Sequence, residues 1–498
     1  MNSPPITPDR EAFVRLARPG ALVPVYREVA FDLDTAVTAY AKLRDEPFGF
    51  LLESVEGGEQ WARFSFLGSA PREAWRLDGD RIRSWTPEDG WGDPVRTEDP
   101  FRDFETWIGR YEPVDAPGLP RFWGGAVGYF GYDTVRWLER LPDSPPADLD
   151  VPDACFMATD RVLIVDNLFS RAYAVAAVPV PESGTTDAGL LHDEAARSLD
   201  DWLARLHGAA ALPPIDIAGE AEVDVLGNRS REDYEAAVSR VREYIAAGDA
   251  YQVVVSQRAS ASLEADHLSL YRALRLTNPS PYLFLIELDS MALIGSSPET
   301  LVRVEDGTVT VRPIAGTRPR GANPAEDRAL EEDLLADQKE RAEHLMLVDL
   351  GRNDVSRVAR SGSVEVRRFM TVEHYSHVMH IVSEVAGRLR DGLSAVDAFR
   401  ACFPAGTLTG APKVRAMEII DELEPTRRGP YGGAAGYVSY GGDSLDMAIV
   451  IRTVLAVDDT AYAQSGAGIV YDSDPGREWD ETRHKARVLL RALAAVRR

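Results

Sequence analysis

Two short segments of the chain each carry a pair of glutamates three residues apart. The first pair is Glu340 and Glu343, in a long helix predicted over about residues 327–350, and the second is Glu478 and Glu481, in a final helix predicted from about 476 to 496. Residues at this spacing share one face of a helix, so each segment would present two carboxylates in one direction. If the two faces met, they would form a site for Mg²⁺ with positions left for an anionic substrate. Because glutamate is usually exposed, the spacing alone favours two solvated surface helices, and only the neighbouring motifs can decide.

Several neighbouring residues could receive an anion. Lys485 lies four residues after Glu481 and joins the same helical face. Arg452 falls in an apolar run, residues 448–455, that predicts a strand, and a buried arginine needs a carboxylate from the protein or from a ligand. Gly466 and Gly468 lie in another predicted strand, which they would weaken unless a ligand or a backbone approaches closely.

Two further segments belong to the same part of the chain. Residues 403–413 are rich in turn formers and open a helix at Pro412, whose N-terminus would offer N–H donors to a carboxylate. They lack the spacing of a phosphate-binding loop, which argues against a nucleotide. His380 lies in a predicted apolar strand, where a lone histidine is more often a core residue. Together these patterns predict a magnesium site beside a pocket for a small polyanion.

Composition limits the possible partners. The 498 residues carry a formal charge of −25, which argues against binding to nucleic acid or to an anionic membrane. Cys155 and Cys402 are the only cysteines, too few for a disulfide framework or a thiolate zinc site, and this fits a reducing cytoplasm. No signal peptide and no apolar stretch long enough to span a membrane is recognisable.

The pattern along the chain predicts three parts. Residues 1–20 form an N-terminal lead-in, residues 21–210 a strand-rich first domain, and residues 211–498 a larger α+β domain that contains the motifs above. The boundary falls in a stretch rich in Pro, Gly, Ala and acidic residues, about 180–228, which is typical of a linker.

At these motifs the sequence closely resembles the chorismate-utilising enzymes, and within them the large subunits of anthranilate synthases. The resemblance spans nearly the whole chain and rests on several long strings in the order that the family has them. These strings are Pro-Ile-Ala-Gly-Thr-Arg from Pro313, Glu-His-Leu-Met-Leu-Val-Asp-Leu-Gly-Arg-Asn-Asp from Glu343, Val-Met-His from Val378, Phe-Pro-Ala-Gly-Thr-Leu-Thr-Gly-Ala-Pro-Lys from Phe403, and Gly-Ala-Gly-Ile-Val-Tyr-Asp-Ser from Gly466.

The resemblance implies an α+β fold of intertwined antiparallel β-sheets, packed orthogonally as a sandwich with helices outside. It implies a magnesium cofactor held by Glu343 and Glu481, with Glu340 and Glu478 in support. It also implies a general acid, Glu299, for the departing C4 hydroxyl of chorismate, and help from His380, Gln252 and Thr407. The residues that would bind chorismate are Gly316, Thr317, Thr407, Tyr431, Arg452, Gly466, Gly468 and Lys485.

The implied reaction is the amination of chorismate at C2 with loss of the 4-hydroxyl, followed by elimination of pyruvate to give anthranilate. Two positions distinguish it from related reactions. Aminodeoxychorismate synthases usually have lysine where this chain has Ala315, and isochorismate and salicylate synthases use a lysine where it has Gln252. Glutamine cannot serve as the base that activates water, and ammonia needs none as strong.

Three alternatives stay open: an aminodeoxyisochorismate synthase that stops before pyruvate leaves, an aminodeoxychorismate synthase, and a non-catalytic tryptophan-binding subunit. The four intact side chains Glu343, Glu481, His380 and Arg452 argue against the last.

The resemblance also implies feedback inhibition by tryptophan, bound in the first domain and at the start of the second. The implied inhibitor site consists of Glu53, Ser54, Pro281, Tyr282 and Leu283. From spacing alone, residues 51–52 are better explained as a core strand. Neither cysteine lies in a glutaminase nucleophile motif, so ammonia is expected from a separate glutamine amidotransferase subunit in a hetero-oligomer.

Overall fold

The structure, a computed structural model, describes residues 4–54, 63–183, 187–216, 223–375 and 378–496, and structural statements refer to these. Within them, no helix is both long and apolar enough to cross a membrane. The α-helices are α1 (Arg10–Leu16), α2 (Ala36–Leu43), α3 (Pro100–Ile108), α4 (Ala188–Leu206), α5 (Arg231–Ala247), α6 (His267–Thr277), α7 (Pro324–Ala336), α8 (Gln338–Ser356), α9 (Ala395–Cys402), α10 (Gly406–Thr409), α11 (Lys413–Leu423) and α12 (Pro475–Ala494).

The strands fall into two runs along the chain. The first run is β1 (Ile6–Thr7), β2 (Ala21–Ala30), β3 (Phe48–Glu53), β4 (Phe64–Ser69), β5 (Ala74–Asp78), β6 (Arg81–Thr86), β7 (Gly90–Trp91), β8 (Val95–Arg96), β9 (Glu112–Pro113), β10 (Gly125–Phe130), β11 (Ala154–Thr159), β12 (Arg161–Asp166) and β13 (Arg171–Pro179). The second run is β14 (Leu226–Gly227), β15 (Gln252–Ser262), β16 (Tyr282–Leu288), β17 (Met291–Ser297), β18 (Thr300–Glu305), β19 (Thr308–Val311), β20 (Ile314–Pro319), β21 (Glu365–His374), β22 (Val378–Arg388), β23 (Gly410–Ala411), β24 (Ala434–Ser439), β25 (Leu445–Ile449), β26 (Thr453–Val457) and β27 (Thr460–Ile469).

These strands form two large sheets. Sheet 1 has 14 strands in the order β1-β2-β13-β12-β4-β3-β16-β17-β26-β27-β15-β14, with β9 and β23 attached. Sheet 2 has 13 strands in the order β20-β22-β19-β18-β25-β24-β10-β11-β5-β6-β7, with β21 and β8 attached. All described pairings except that of β2 with β9 are antiparallel. The predicted α+β fold of two intertwined antiparallel sheets is confirmed.

Three apolar layers hold the sheets and helices together. One core lies between the sheets and joins β3 and β16 of sheet 1 to β10 and β11 of sheet 2. A second lies between sheet 1 and helices α2, α4, α6 and α12, and a third between sheet 2 and helices α3, α8 and α9. The helices therefore cover the outer faces of a sandwich.

The two halves of the chain repeat the same arrangement around the middle of each sheet. In sheet 1, Gly49 pairs with Glu287 and Glu53 pairs with Leu283. These two pairs are equivalent when β3 and β16 are interchanged, so the register of the two strands is symmetric. Sheet 2 has the same property where Gly128 pairs with Gly436 between β10 and β24. The predicted first domain, residues 21–210, and the predicted second domain, residues 211–498, therefore contribute strands to both sheets.

The repeat is visible in short stretches of sequence once the register is known. Gly-Gly-Ala-x-Gly-Tyr-x-x-Tyr occurs at residues 124–132 and at 432–440. Gly-Ser-x-Pro occurs at 68–71 and at 295–298, where the chain passes from sheet 1 to sheet 2. Residues 4–20 of the predicted lead-in include α1 and β1, and β1 pairs with β2. Parts of the predicted linker, residues 184–186 and 217–222, lie outside the described residues.

Two expectations about individual elements are wrong. The strand predicted across residues 448–455 is interrupted at Arg452, whose φ of 48° takes the chain from β25 in sheet 2 to β26 in sheet 1. The single long helix predicted from about 327 to 350 is divided into α7 and α8 at Asp337. This side chain accepts hydrogen bonds from the backbone N–H groups of Lys339 and Glu340 and so begins a new helix.

Candidate active site

The two glutamate pairs lie on helices α8 and α12, which face the same region. Burial raises the pKa of Glu343, and the negative charges of Glu340 and Glu481 raise it further. The pKa of Glu478 is also raised, by burial and by Glu481. Carboxylates that affect one another in this way lie close together, so the sequence-predicted acids form one cluster although more than 130 residues separate the pairs.

The cluster has the chemistry of a magnesium site without a closed set of ligands. Among the described residues, no three His, Cys, Asp or Glu side chains are close enough to hold a metal ion. Glu481 instead lies 2.8 Å from the ammonium of Lys485, and Glu340 lies 3.5 Å from the guanidinium of Arg318. The oxygen donors and their mutual repulsion fit a hard divalent cation, provided that these two glutamates leave their ion pairs.

Gln252 connects the acidic cluster to strand β27 of sheet 1. Its Nε2 donates to Oε1 of Glu343 at 3.4 Å, and its own Oε1 is buried with no hydrogen-bond partner among the described residues. A Cβ on Gly468 would lie 2.3 Å from the Gln252 Nε2, so a side chain at Gly468 would displace the amide. Gly468 is therefore glycine because Gln252 lies against the backbone of β27.

Gly466, Tyr431 and Lys485 form the adjoining wall. Lys485 donates to the carbonyl of Gly466 at 2.9 Å, and a Cβ on Gly466 would lie 2.9 Å from the hydroxyl oxygen of Tyr431. The Tyr431 ring is buried, and burial raises the pKa of its hydroxyl, which remains a neutral donor. A carboxylate on this wall would meet an ammonium and a hydroxyl.

Glu299 and Arg452 lie where the chain changes sheets. Glu299 separates β17 from β18, and Arg452 separates β25 from β26. Burial raises the pKa of Glu299 to about 8, although Thr407 and Arg452 partly oppose the shift. The carboxyl group is therefore protonated at neutral pH and can act as an acid.

Arg452 makes no hydrogen bond or ion pair through its side chain to any residue that the structure describes. Burial lowers the pKa of the guanidinium, and the charge of Glu299 partly offsets this effect. A half-buried cation without a salt bridge is costly for the fold, and an anionic ligand would relieve the cost. Thr407 adds a hydroxyl group beside the Glu299 carboxyl, whose pKa it lowers.

His380 lies on β22 beside the bulge of β20. Its Nδ1 is 2.9 Å from the carbonyl oxygen of Gly316 and 3.1 Å from the hydroxyl of Thr317. Because a carbonyl only accepts, Nδ1 carries the proton and Nε2 is left as the basic nitrogen. Burial and the charge of Arg452 lower the pKa of His380, so the ring is neutral at physiological pH. Gly316 has φ of 68°, and a Cβ there would lie 3.2 Å from Glu340.

The residues predicted for the active site are therefore linked in one continuous network of neighbours. The network joins the acidic cluster and β27 to β22 and the two crossovers. It contains Glu340, Glu343, Gln252, Gly468, Gly466, Tyr431, Lys485, Glu481, Glu478, Thr407, Glu299, Arg452, His380, Thr317 and Gly316.

Sequence reasoning missed two supporting contacts. Glu424 and Arg428 form a fully buried ion pair at 2.7 Å, and Arg428 also donates to the carbonyls of Leu408 and Val254 beneath Tyr431. His344, next to Glu343, is bonded to Ser383 at 2.7 Å and fixes α8 on β22. The signal available for His344 was its helical spacing from the apolar residues Leu347 and Val348, which share the buried face of α8.

A second cavity, of about 700 Å³, lies beside β16. Its wall includes all five residues predicted for an inhibitor site, Glu53, Ser54, Pro281, Tyr282 and Leu283. Glu53 is already engaged, because it accepts from the Tyr271 hydroxyl at 2.6 Å and from Arg275 at 2.9 Å. We call this cavity the effector cavity.

Comparison with known proteins agrees with this geometry. The sequence pattern of the chorismate binding enzymes matches residues 63–491, which is most of the chain. The chain therefore belongs to the family of chorismate-binding enzymes.

The more specific resemblance, to the large subunits of anthranilate synthases, is also confirmed. The chain is 50% identical over 499 residues to the anthranilate synthase component 1 of Pseudomonas putida, with 98% of each chain covered. The crystal structure of anthranilate synthase component I from Streptococcus pneumoniae is similar with a TM-score of 0.77 and 35% identity, covering 93% of this chain and 99% of that one. The menaquinone-specific isochorismate synthase of Escherichia coli, 18% identical with a TM-score of 0.68, shares the fold over 97% of this chain and 98% of its own.

Replacement of Glu299 by glutamine is expected to alter how stability depends on pH. The folded carboxyl has a pKa of about 8 and the unfolded one has its ordinary value of 4.5, so unfolding releases a proton between these values. In wild type, the neutral Glu299 carboxyl makes its full contribution to the free energy of unfolding below pH 4.5. This contribution is lost as the pH rises to 8. The melting temperature of Glu299→Gln minus that of wild type should increase by about 2 °C or more between pH 5 and pH 8.5. The exposed-site variant Glu243→Gln should show no such trend, and a constant difference for Glu299→Gln would contradict the burial effect.

Proposed function

We propose that this chain catalyses the amination of chorismate at C2 and the elimination of pyruvate, giving anthranilate. The observation that carries the proposal is the position of Glu299, a protonated buried acid beside the unpaired guanidinium of Arg452. An acid next to an anion receptor suits a substrate that carries both a leaving hydroxyl and carboxylates. The naming of its relatives as anthranilate synthase components supports the same reaction.

In the first step, Glu299 gives its proton to the C4 hydroxyl oxygen as the C4–O bond breaks and water leaves. The lone pair of ammonia forms the C2–N bond, and the new ammonium group then loses a proton. The orphaned Oε1 of Gln252 would accept a hydrogen bond from ammonia and orient it toward C2. Gln252 does not need to act as a base, because ammonia attacks as the neutral molecule.

In the second step, the C2 hydrogen leaves as a proton, the C3–O bond breaks, and the enolpyruvyl methylene gains a proton to become pyruvate. Neutral His380, with Nε2 free as a base, is suited to accept the C2 proton. Ala315, the position before Gly316, offers no amine for covalent capture of the substrate. These features favour complete conversion to anthranilate over the two related aminodeoxy products.

We further propose that Glu343 and Glu481 hold Mg²⁺, with Glu340 and Glu478 supporting them. The repulsion that raises the pKa of Glu343 supports this proposal, since a cation would relieve it. The ion would supply positive charge for the ring carboxylate of chorismate. Lys485, released from Glu481, could then bind a substrate carboxylate directly.

Purified protein supplied with chorismate, Mg²⁺ and an ammonium salt at mildly alkaline pH should produce anthranilate fluorescence. Because Glu299 must be protonated, kcat at a fixed concentration of free ammonia should fall as the pH rises through about 8. Glu299→Gln should lower kcat by about 10²–10⁴-fold and abolish this decline. A product that retains the enolpyruvyl group would refute the proposed second step.

Glu481→Gln should raise the Mg²⁺ concentration needed for half-maximal activity by about tenfold or more, because it removes one negative oxygen donor. Calorimetric titration with Mg²⁺ in the absence of chorismate provides a readout independent of turnover. Asp480→Asn is the matched control, since Asp480 is the neighbouring acid on α12 and lies 58% exposed against Arg231. Equal Mg²⁺ dependence in both variants would exclude Glu481 as a ligand.

We propose that ammonia reaches this site from a separate glutamine amidotransferase subunit, and that the complex works in the cytoplasm. The name component 1 in the relatives supports a second component. Cys155 and Cys402 are both buried, and burial raises the pKa of each thiol, so neither is suited to act as a glutaminase nucleophile. Glutamine should support anthranilate formation only after the amidotransferase is added. Activity of the single chain with glutamine would refute this assignment.

We also propose that tryptophan binds in the effector cavity and inhibits the enzyme. All five residues predicted for the inhibitor site line one cavity of about 700 Å³, and this supports the proposal. The backbone and side chains at the mouth are polar, whereas Leu52, Phe64, Phe66 and Phe122 provide an apolar wall for an indole ring.

A further inference from the structure

The effector cavity is connected to both crossovers of the candidate active site, to one through the wall residue Tyr282 and to the other through the loop before it. Tyr282, which lines the cavity, places its hydroxyl 2.9 Å from the hydroxyl of Thr300 and donates to Asp446 at 2.8 Å. Thr300 directly follows Glu299 at the start of β18, beside an irregularity in the pairing of β18 with β25. Movement of the Tyr282 ring would therefore act on the strand end that carries the general acid.

A second contact leads from the same loop to Arg452. The Asn278 side chain donates to the Ser296 hydroxyl at 2.7 Å, and this hydroxyl is also 3.0 Å from that of Ser280. Ser296 is fully buried, and its backbone N–H donates to the carbonyl of Arg452 at 3.1 Å. This bond helps to hold Arg452 at its left-handed φ of 48°, a conformation that costs a non-glycine residue free energy.

The N-terminal half of the repeat provides an internal comparison. Phe48 occupies the position of Tyr282 and has no hydroxyl, and Glu73 stands where the other half has Thr300. Ser69, the counterpart of Ser296, donates to the carbonyl of Leu43 at 2.8 Å, much as Ser296 donates to the carbonyl of Asn278 at 2.5 Å. Ser69 differs in that it accepts no hydrogen bond from a side-chain amide of the described residues, whereas Ser296 accepts one from Asn278. The two hydroxyl contacts are therefore a property of the half that carries Glu299 and Arg452. They are not required by the fold itself.

We propose that Tyr282–Thr300 and Asn278–Ser296 are positioning contacts through which occupancy of the effector cavity controls the placement of Glu299 and Arg452. This inference rests on the proposed function of both sites. A ligand that packs against Tyr282 and the loop before it must strain or break these bonds, because the hydroxyls have fixed partners on both sides. Binding of the effector would then disfavour binding of chorismate, and by reciprocity chorismate would weaken binding of the effector by the same factor.

The test measures this coupling directly. Tryptophan is titrated calorimetrically into the full chain with Mg²⁺, with and without saturating chorismate and in the absence of ammonia. Thr300→Val removes the hydroxyl while keeping a β-branched side chain in the strand, and Thr300 does not line the effector cavity. We expect tryptophan alone to bind Thr300→Val with a Kd within about twofold of wild type. Chorismate should raise the Kd for tryptophan by a smaller factor in Thr300→Val than in wild type. The two factors should differ by at least about fivefold, which is the lower end of typical coupling.

Three variants complete the design. Thr300→Ser keeps the hydroxyl and should restore wild-type coupling, and Ser296→Ala should reduce coupling through the other contact and raise KM for chorismate more than it lowers kcat. Tyr40→Phe is the matched control, because Tyr40 donates to Glu287, the symmetric counterpart of Glu53 in sheet 1, and contacts neither crossover. Its coupling should equal that of wild type.

The outcomes separate this inference from the proposed feedback. If wild type binds tryptophan and chorismate weakens that binding equally in wild type, Thr300→Val and Ser296→Ala, the positioning contacts are refuted and the feedback stands. If wild type binds no tryptophan, the feedback is refuted, and the contacts are judged by ammonia-dependent kinetics. In that case Tyr282→Phe and Thr300→Val must each lower kcat at least about threefold while Thr300→Ser does not, and unchanged kcat in the first two would overturn the inference.

Discussion

The candidate active site depends on two places where the chain leaves one sheet and enters the other. Glu299 and Arg452 occupy these crossovers, where strand pairing is interrupted and a side chain can be buried without belonging to either sheet. Backbone hydrogen bonds fix both: Ile449 N–H donates to the carbonyl of Glu299 at 3.0 Å, and Ser296 N–H donates to that of Arg452 at 3.1 Å. Each crossover is thus held by the strand that leads to the other. The acid and the cation keep a fixed relation because the sheets cannot move apart without breaking these bonds.

The distribution of charge suits an anion together with a cation. The chain as a whole carries −25, and the acidic cluster on α8 and α12 adds local repulsion. Lys485 is paired with Glu481 of this cluster, and Arg452 and the neutral acid Glu299 lie at the crossovers. The site therefore offers negative groups that suit a cation and positive groups that suit carboxylates. A monocarboxylate would use only part of this arrangement. A dicarboxylate with a leaving hydroxyl would use all of it.

Sequence patterns predicted which residues lie close together better than they predicted the elements that carry those residues. The glutamate pairs were recognisable because helical spacing puts them on one face, and the fold class followed from a resemblance that covers nearly the whole chain. Arg452 was misassigned to a strand because an apolar run does not reveal a residue with φ of 48°. The division of α7 from α8 depended on a cap at Asp337 within an otherwise helical pattern. The contacts of Tyr282 with Thr300 and of Ser296 with Arg452 join strands β16, β17 and β18 to the crossover at Arg452, and no local spacing encodes them.

The repeat within the fold explains why only one half can bind an anion in this way. In the N-terminal half, Arg72 follows β4 and Asp160 follows β11, also at changes of sheet, and their charged atoms lie 3.1 Å apart. Arg72 and Asp160 therefore form an ion pair within the protein. In the C-terminal half, Glu299 keeps its proton, so Arg452 has no charged partner at the equivalent place. The same backbone therefore stabilises one half with an internal ion pair and leaves the other with an unpaired cation, and the difference follows from the protonation of a single buried carboxyl group.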